Sequence, residues 1–149
     1  MIEKALLPNI RWLALPSVGL GEDWVEKVLK IDHDLESLGY ELAEESVYLL
    51  YSHSAREILL EKGQCLIARP VIGPKKMLEA PFLLKDWIAS EVWKAPLRGV
   101  TLEELLGLVV HIDQKRELKE KQLERGFILC IRRRLVPGLS VTIEVIFPE

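Results

Sequence analysis

Apolar positions in the first third of the chain follow a strand pattern and then a helical pattern. Residues 10–15 form an apolar run between Pro8 and a Pro-Ser-Val-Gly turn at 16–19, which is typical of a strand. The next apolar residues recur every three or four positions and stop before Gly39, with charged residues between them. This spacing predicts an amphipathic helix that ends at the glycine, with the apolar stripe Trp24, Val28, Ile31, Leu35 and Leu38.

Two further strands are predicted before the middle of the chain. Val47–Tyr51 is β-branched and aromatic, and Gln64–Ile72 is a longer apolar run closed by a Gly-Pro turn. Between them, residues 54–62 predict a short helix that Gly63 ends.

The second half repeats this order of elements. Residues 87–95 predict a strand and Gly99 a turn, and Thr101 with Glu104 forms a capping-box pattern at the start of a helix over 101–125. The apolar stripe of that helix is Leu102, Leu105, Leu106, Val109 and Ile112, and Gly126 ends it. Two strands are predicted after it, at 127–131 and 140–147.

A shift of 80 positions superposes several residues of the two halves. The matches are Pro16 on Pro96, Gly19 on Gly99, and 47–51 on 127–131, while the last strand needs a two-residue adjustment that puts Pro70 opposite Pro148. This register predicts an internal duplication within a single domain over 1–149, with repeats at about 8–73 and 82–149. The expected fold is α+β, with two pseudo-twofold-related strand-helix-strand-strand units that form an antiparallel sheet with two main helices.

Such a duplication favours a binding function. A three-stranded unit with one helix covers only one face of its sheet, so two copies meet at a seam. Seams between subdomains commonly hold concave, mostly apolar ligand sites. We therefore expect a cleft between the repeats that takes up a small apolar or aromatic molecule.

Composition and charge narrow the possible partners and location. The 149 residues are 49% hydrophobic and 29% charged, with a net charge of −3, so the chain is globular and has no basic field for nucleic acid. The start of the chain does not fit a secretory signal, and no apolar stretch is long enough for a membrane helix. We expect a cytoplasmic protein without nucleic-acid or membrane partners, whose cysteines, Cys65 and Cys130, are buried free thiols.

Several segments resemble the GyrI-like domains, a family that includes the effector-binding domains of multidrug-responsive regulators and is related to the SOUL haem-binding group. The segment at 87–105, with its strand, Gly99 turn and helix start, resembles the opening of the second half of these domains. The matching element of the first half lies at 8–19, and further similar strands lie at 47–52, 65–71 and 141–148. No helix-turn-helix segment precedes this domain in the sequence, so we expect a stand-alone member.

The resemblance implies a cleft at the pseudo-twofold axis for apolar, often cationic or aromatic, small molecules. Family members commonly carry a buried acid in the strand after the second helix, but residues 127–132 here read Phe-Ile-Leu-Cys-Ile-Arg. Because an organic cation would lack a buried counter-charge there, neutral or anionic ligands are expected.

Aromatic and acidic residues on the predicted strands are the candidate site residues. Trp12, Trp93, Tyr48 and Tyr51 could stack on a ligand or simply pack in the core. Alternation along strands places Trp12 and Trp93 on opposite faces, and likewise Tyr48 and Tyr51.

Glu91 and Glu144 are the candidate ligand-binding acids, and the candidate general bases if the protein is an enzyme. Alternatively, both could lie on a solvated face. Arg69 and the run 132–134 are their candidate partners.

The sequence gives little support to other chemistry. The three histidines share no ligand spacing with the cysteines, Ser52-His53-Ser54 lacks an orienting carboxylate, and no glycine-rich phosphate loop is present. We expect no metal and no cofactor, and a binding protein rather than an enzyme. The alternatives are a small hydrolase that uses a cleft glutamate and a gyrase-inhibitor-like protein-interaction module.

Overall fold

The computed structural model describes residues 3–18, 24–51, 64–97, 127–133 and 141–148. Within these ranges the chain forms one helix and nine strands. In chain order they are β1 (Glu3–Leu7), β2 (Ile10–Val18), α1 (Trp24–Asp34), β3 (Glu41–Leu42), β4 (Val47–Tyr51), β5 (Gln64–Ile72), β6 (Leu83–Trp87), β7 (Ser90–Leu97), β8 (Phe127–Arg133) and β9 (Val141–Pro148). The architecture is α+β with an antiparallel sheet.

Gly39 ends the helical segment as its position in the sequence predicts. After α1 the chain continues through a turn in which the Gly39 amide donates to the Glu36 carbonyl (2.9 Å) and the Tyr40 amide to the Leu35 carbonyl (3.1 Å). Gly39 has a φ of 92°, which residues with a side chain rarely adopt. This pair of bonds is a Schellman motif, and it turns the chain toward β3.

The sheet has the strand order β1-β7-β9-β8-β4-β5-β2-β6, with β3 added beside β5. All of its pairings are antiparallel. At the centre, β4 pairs with β8 so that Leu49 lies opposite Leu129. At one end β1 pairs with β7, and at the other end β6 pairs with β2.

The two ends of this sheet meet, so the sheet is strongly curled. β1 is joined to β2 by Pro8 and Asn9 alone, yet the two strands stand near opposite ends of the strand order. Side-chain bonds close the junction: the Trp87 indole N–H donates to the Leu7 carbonyl (3.2 Å), and the Ala89 amide donates to Asn9 Oδ1 (2.7 Å).

Each face of the sheet carries its own apolar cluster. On the helix face, Ile31 of α1 packs with Leu13, Leu49, Ile67 and Leu129. The opposite face, which we call the cavity face, has a second cluster of buried residues: Leu7, Trp12, Ala14, Tyr48, Ala68, Val92, Ile128, Cys130 and Ile146. Both faces are therefore buried over the central strands, which fits their long apolar runs.

Three strands were not predicted from the sequence, and one predicted strand is divided. The additional strands are β1, β3 and β6, and residues 87–95 are split by a break at 88–89 between β6 and β7. The predicted helices at 54–62 and 101–125 lie outside the described residues.

Candidate functional site

A partly open cavity of about 270 Å³ lies on the cavity face, where the ends of β1, β5 and β8 approach the loop after β3. Its walls come from sequence segments that are far apart, and the curl of the sheet brings them together. The lining residues are Leu7, Pro8, Asn9, Ile10, Arg11, Ala43, Glu44, Tyr48, Pro70, Val71, Ile72, Lys94 and Arg132. The cavity thus combines an apolar wall with several charged groups.

Tyr48 is the aromatic residue of the cavity wall. Its side chain is only 1% exposed, and its hydroxyl donates to Glu44 Oε1 at 2.8 Å. Its ring lies 5.3 Å from the Trp12 ring, centroid to centroid, and Trp12 is itself buried. Burial, followed by the negative charges near the ring, raises the pKa of Tyr48, so the phenol stays protonated and remains a donor.

Arg132 and Lys94 bring positive charge to the cavity. Arg132 Nη1 donates to Glu144 Oε1 at 3.0 Å, and Glu144 lies opposite Cys130 in the neighbouring strand. Lys94 is half-buried and occupies an interior position of the sheet, between Glu3 of β1 and Ile146 of β9.

Arg11 reaches the cavity from β2 and is held on both sides. Its guanidinium donates to Asp86 through Nε (2.7 Å) and Nη2 (3.1 Å), and through Nη1 to the Gly73 carbonyl (2.8 Å). The hydrogen bond from Arg11 holds the pKa of the Asp86 carboxyl below its ordinary value. Arg11 therefore fixes the edge of the cavity between β2, β6 and the end of β5.

The loop that contributes Ala43 and Glu44 is anchored by Arg69. Arg69 is 5% exposed and donates through Nη1 to the carbonyls of Glu45 (3.1 Å) and Ser46 (3.0 Å). The same guanidinium donates to both carboxylate oxygens of Asp32 in α1, at 2.9 and 3.3 Å. The helix, β5 and one wall of the cavity are thereby joined through a single side chain.

The four aromatic candidates lie on two faces, as alternation along the strands predicts. Trp12 and Tyr48 belong to the cluster of the cavity face, whereas Tyr51 and Trp93 pack on the helix face. The structure brings Trp12 and Tyr48 together and keeps the other two away from the cavity. Of the four, Tyr48 lines the cavity directly.

The two candidate acids also lie on opposite faces. Glu91 is 63% exposed at its side chain and pairs with Lys4 at 3.3 Å on the outer strand β1. Glu144 is on the cavity face and pairs with Arg132, which lines the cavity. Glu144 therefore acts on the cavity through Arg132, while Glu91 faces solvent.

Sequence reasoning missed most of the charged wall. Lys94 and Arg11 were not singled out, whereas Arg132 was considered as a partner for a glutamate and, within the run 132–134, as a group that could hold an anion. In the sequence Lys94 lies between two apolar residues of a predicted strand, which marks it as a candidate for a buried charge. Only the register of β7 with β9 shows which face of the sheet it occupies.

The described ranges contain no cluster of three or more potential metal ligands and no apolar helix of membrane-spanning length. Cys65 and Cys130 are buried on opposite faces of the sheet and form no disulfide with each other.

Comparison with known proteins finds similarity in structure but not in sequence. No family model matches the sequence, and no curated protein matches it. The C-terminal domain of EcmrR superposes with a TM-score of 0.73 at 11% identity, covering 99% of this chain and 96% of that chain. EcmrR in its DNA complex gives 0.69 at 13% identity, with 99% of this chain and 56% of the EcmrR chain covered.

Two other solved structures share the fold over nearly the whole chain. A hydrolase from Listeria innocua has a TM-score of 0.58 at 11% identity, with 99% of this chain and 90% of that chain covered. SAV2435, solved bound to tetraphenylphosphonium, has a TM-score of 0.51 at 10% identity, with 99% and 93% covered. At these identities the likeness establishes a common fold with these proteins.

Proposed function

We propose that this chain binds a small apolar or aromatic molecule in the cavity described above, at the seam between two repeats. The observation that carries the proposal is the cavity itself, of about 270 Å³, with the buried ring of Tyr48 in its wall. Tyr48 and Pro70 come from the first predicted repeat, and Lys94 and Arg132 come from the second. A site assembled from both halves is what the duplication hypothesis requires of a seam.

The strand pairing supports the duplication. Leu7 and Trp87 are 80 positions apart and are joined by a hydrogen bond, as are Asn9 and Ala89. The pair formed by Leu49 and Leu129 has the same spacing and lies at the centre of the sheet. Two residues that are related by a twofold axis can contact each other only near that axis. These three contacts are therefore consistent with an axis that passes through the Leu49–Leu129 pair at the centre of the sheet. The same axis would pass between the β1–β2 connection and the β6–β7 connection.

Structural neighbours support a ligand-binding role without identifying the ligand. SAV2435 was solved with tetraphenylphosphonium, an organic cation with four phenyl rings, which shows that this fold can hold an aromatic molecule. EcmrR was solved in a DNA complex, but this chain spans only 56% of it and is acidic overall, with a net charge of −3. We accordingly propose a small-molecule partner and no direct nucleic-acid contact for this chain.

The two alternative functions have less support from the geometry. The two glutamates that the sequence offered as hydrolase bases are poorly placed, because Glu91 faces solvent and Glu144 is engaged with Arg132. Glu44 does line the cavity, but its carboxylate accepts the hydrogen bond of the Tyr48 hydroxyl. A protein-interaction module would need a flat surface at the seam, whereas the described residues form a cavity there.

Fluorescence titration of the tryptophans is the direct test of ligand binding. Trp12 is in ring contact with Tyr48, so occupancy of the cavity should change its emission. A panel of neutral aromatics, hydrophobic cations, aromatic carboxylates and tetrapyrroles should contain at least one compound that binds below about millimolar concentration.

Two phenylalanine variants localise the binding. Ala43→Phe adds a ring to a residue of the cavity wall and should abolish binding, while Leu29→Phe, at an exposed position of α1, should leave it unchanged. The proposal is wrong if no compound binds, or if the Ala43→Phe protein binds as well as the parent.

A further inference from the structure

The cavity face carries a half-buried lysine, Lys94, which lies between Glu3 of β1 and the buried Ile146 of β9. Lys94 shares this face with Val92 and Ile146, both fully buried, and its strand is paired on both sides. An ammonium group is seldom left within such a surface without an anion or a route to water. In this structure the route from Lys94 leads into the cavity that it lines.

Three cations and one carboxylate contribute to the cavity wall: Arg11, Lys94 and Arg132, and Glu44. Asp86 accepts two hydrogen bonds from Arg11, Glu144 pairs with Arg132, and Glu44 accepts from the Tyr48 hydroxyl. Within the described ranges, Lys94 has no carboxylate partner within the 4.0 Å that defines an ion pair. Both arginines are therefore matched by carboxylates, and Glu3, which lies opposite Lys94 in the β1–β7 register, forms no ion pair with it; Lys94 is the cavity cation left to bind an anionic ligand.

We propose that the ligand of this cavity is an aromatic or apolar carboxylate, whose charged end binds Lys94 beside Arg132 while its ring packs on Tyr48 and Ile10. This inference rests on the proposed binding function and specifies its ligand class. A carboxylate accepts the charge-assisted hydrogen bonds that an ammonium and a guanidinium donate. An organic cation would instead be placed beside the Lys94 ammonium, while the carboxylates near the cavity are already engaged, Glu144 by Arg132 and Glu44 by the Tyr48 hydroxyl.

The test compares three ligands of one shape that differ in charge: 2-naphthoate, its neutral amide and 2-naphthylmethylammonium. Dissociation constants are measured by tryptophan fluorescence and by calorimetry for the parent protein and for Lys94→Met. We expect 2-naphthoate to bind about tenfold more tightly than the amide, and the ammonium compound to bind most weakly.

The Lys94→Met protein should lose this preference and bind 2-naphthoate no better than the amide, while its affinity for the amide stays at the parental value. The unchanged amide affinity also shows that the variant is folded. Lys4→Met is the matched control, because it removes the same charge from the adjacent strand β1 but on the opposite face, where Lys4 pairs with Glu91. It should keep the carboxylate preference.

The outcomes separate the two proposals. Equal binding of the carboxylate and the amide by the parent protein, or a preference that persists in Lys94→Met, overturns the carboxylate inference and leaves small-molecule binding standing. Tighter binding of the ammonium compound overturns it as well. If none of the three compounds binds and the wider panel fails too, both proposals are wrong.

Discussion

Replacing Asp32 with asparagine should lower the free energy of unfolding by ~1–3 kcal/mol, because it removes the nearer of the two carboxylates that compensate the buried Arg69, the other being Glu45 at 3.5 Å. Arg69 is 6% exposed at its side chain and Asp32 is 38% exposed, and the two are joined by a pair of hydrogen bonds. Arg69 also donates hydrogen bonds to the backbone carbonyls of Glu45 and Ser46. The guanidinium cannot follow a lost partner into solvent without giving up these bonds.

The magnitude follows from the exposure of the two partners. Removing one partner of a fully buried ion pair costs ~3–5 kcal/mol. Water can reach the partly exposed carboxylate of Asp32, and asparagine keeps one acceptor oxygen, so the expected loss is reduced to ~1–3 kcal/mol. Arg69→Met should also destabilise, because the two loop carbonyls lose their donor.

Urea unfolding followed by tryptophan fluorescence measures both single variants and the double variant. If the pair acts as a unit, the double variant should be more stable than the sum of the single losses implies, by ~0.5–3 kcal/mol. Asp34→Asn is the matched control on the same helix, since Asp34 pairs only with the exposed His33 among the described contacts of its side chain. It should change stability by less than ~0.5 kcal/mol.

Two results would contradict a compensating role for Asp32. Either Asp32→Asn is as stable as Asp34→Asn, or the stability losses of Asp32→Asn and Arg69→Met simply add in the double variant. Either result would mean that Asp32 does not compensate the buried guanidinium. The loop that carries Ala43 and Glu44 would then be positioned by other contacts.

Three further experiments test separate parts of the fold. Gly73→Ala should lower the free energy of unfolding, measured in urea, by ~1–3 kcal/mol, because the added Cβ would overlap the Tyr40 ring. Stability equal to that of the parent would show that the ring can move away. The Arg11 hydrogen bond lowers the pKa of Asp86 in the folded protein below its ordinary value of 3.8. The stability that the ionised Asp86 contributes is therefore present above pH 3.8 and is lost as the pH falls through the pKa of the folded state. Asp86→Asn should therefore lose less stability than the parent on acidification below about pH 4, as thermal unfolding at several pH values would measure. Burial raises the pKa of the Cys130 thiol, so Ellman's reagent should modify it only after denaturant unfolds the chain; rapid native labelling would contradict its burial.

Local patterns in the sequence were sufficient where an element is determined by its own residues. The bounds predicted for β4 and β5 are those of the structure, because both are continuous apolar runs with clear ends. The glycine stop at Gly39 was also correct, since the left-handed turn there depends on that residue.

Elements that depend on distant partners were not predictable in the same way. Glu3–Leu7 and Leu83–Trp87 each mix charged and apolar residues without strict alternation, so neither has a strand pattern of its own. They become strands by pairing with β7 and β2, which lie far away in sequence. Propensity is weak at such edges, and tertiary context decides.

The cavity shows the same limit at the level of the site. Tyr48 was a candidate because a large aromatic on a strand is visible in the sequence. Lys94 and Arg11 become cavity residues only through the curl of the sheet, which no local pattern encodes. The alternation of side chains between the two faces of each strand was predictable from the sequence. Which strand ends lie next to each other in the folded sheet was not.

The way the sheet closes has a kinetic consequence for the cavity. The pairings of β1 with β7 and of β6 with β2 join segments that are far apart in the chain, so, like the central pairing of β4 with β8, each carries a large loop-closure entropy. The wall formed by Leu7, Ile10 and Lys94 exists only after these pairings form. We therefore expect the site to be assembled late in folding, and the same pairings to be among the first to open in the native protein. A ligand that bridges this wall would bind only the closed state and would stabilise the edges of the sheet by mass action.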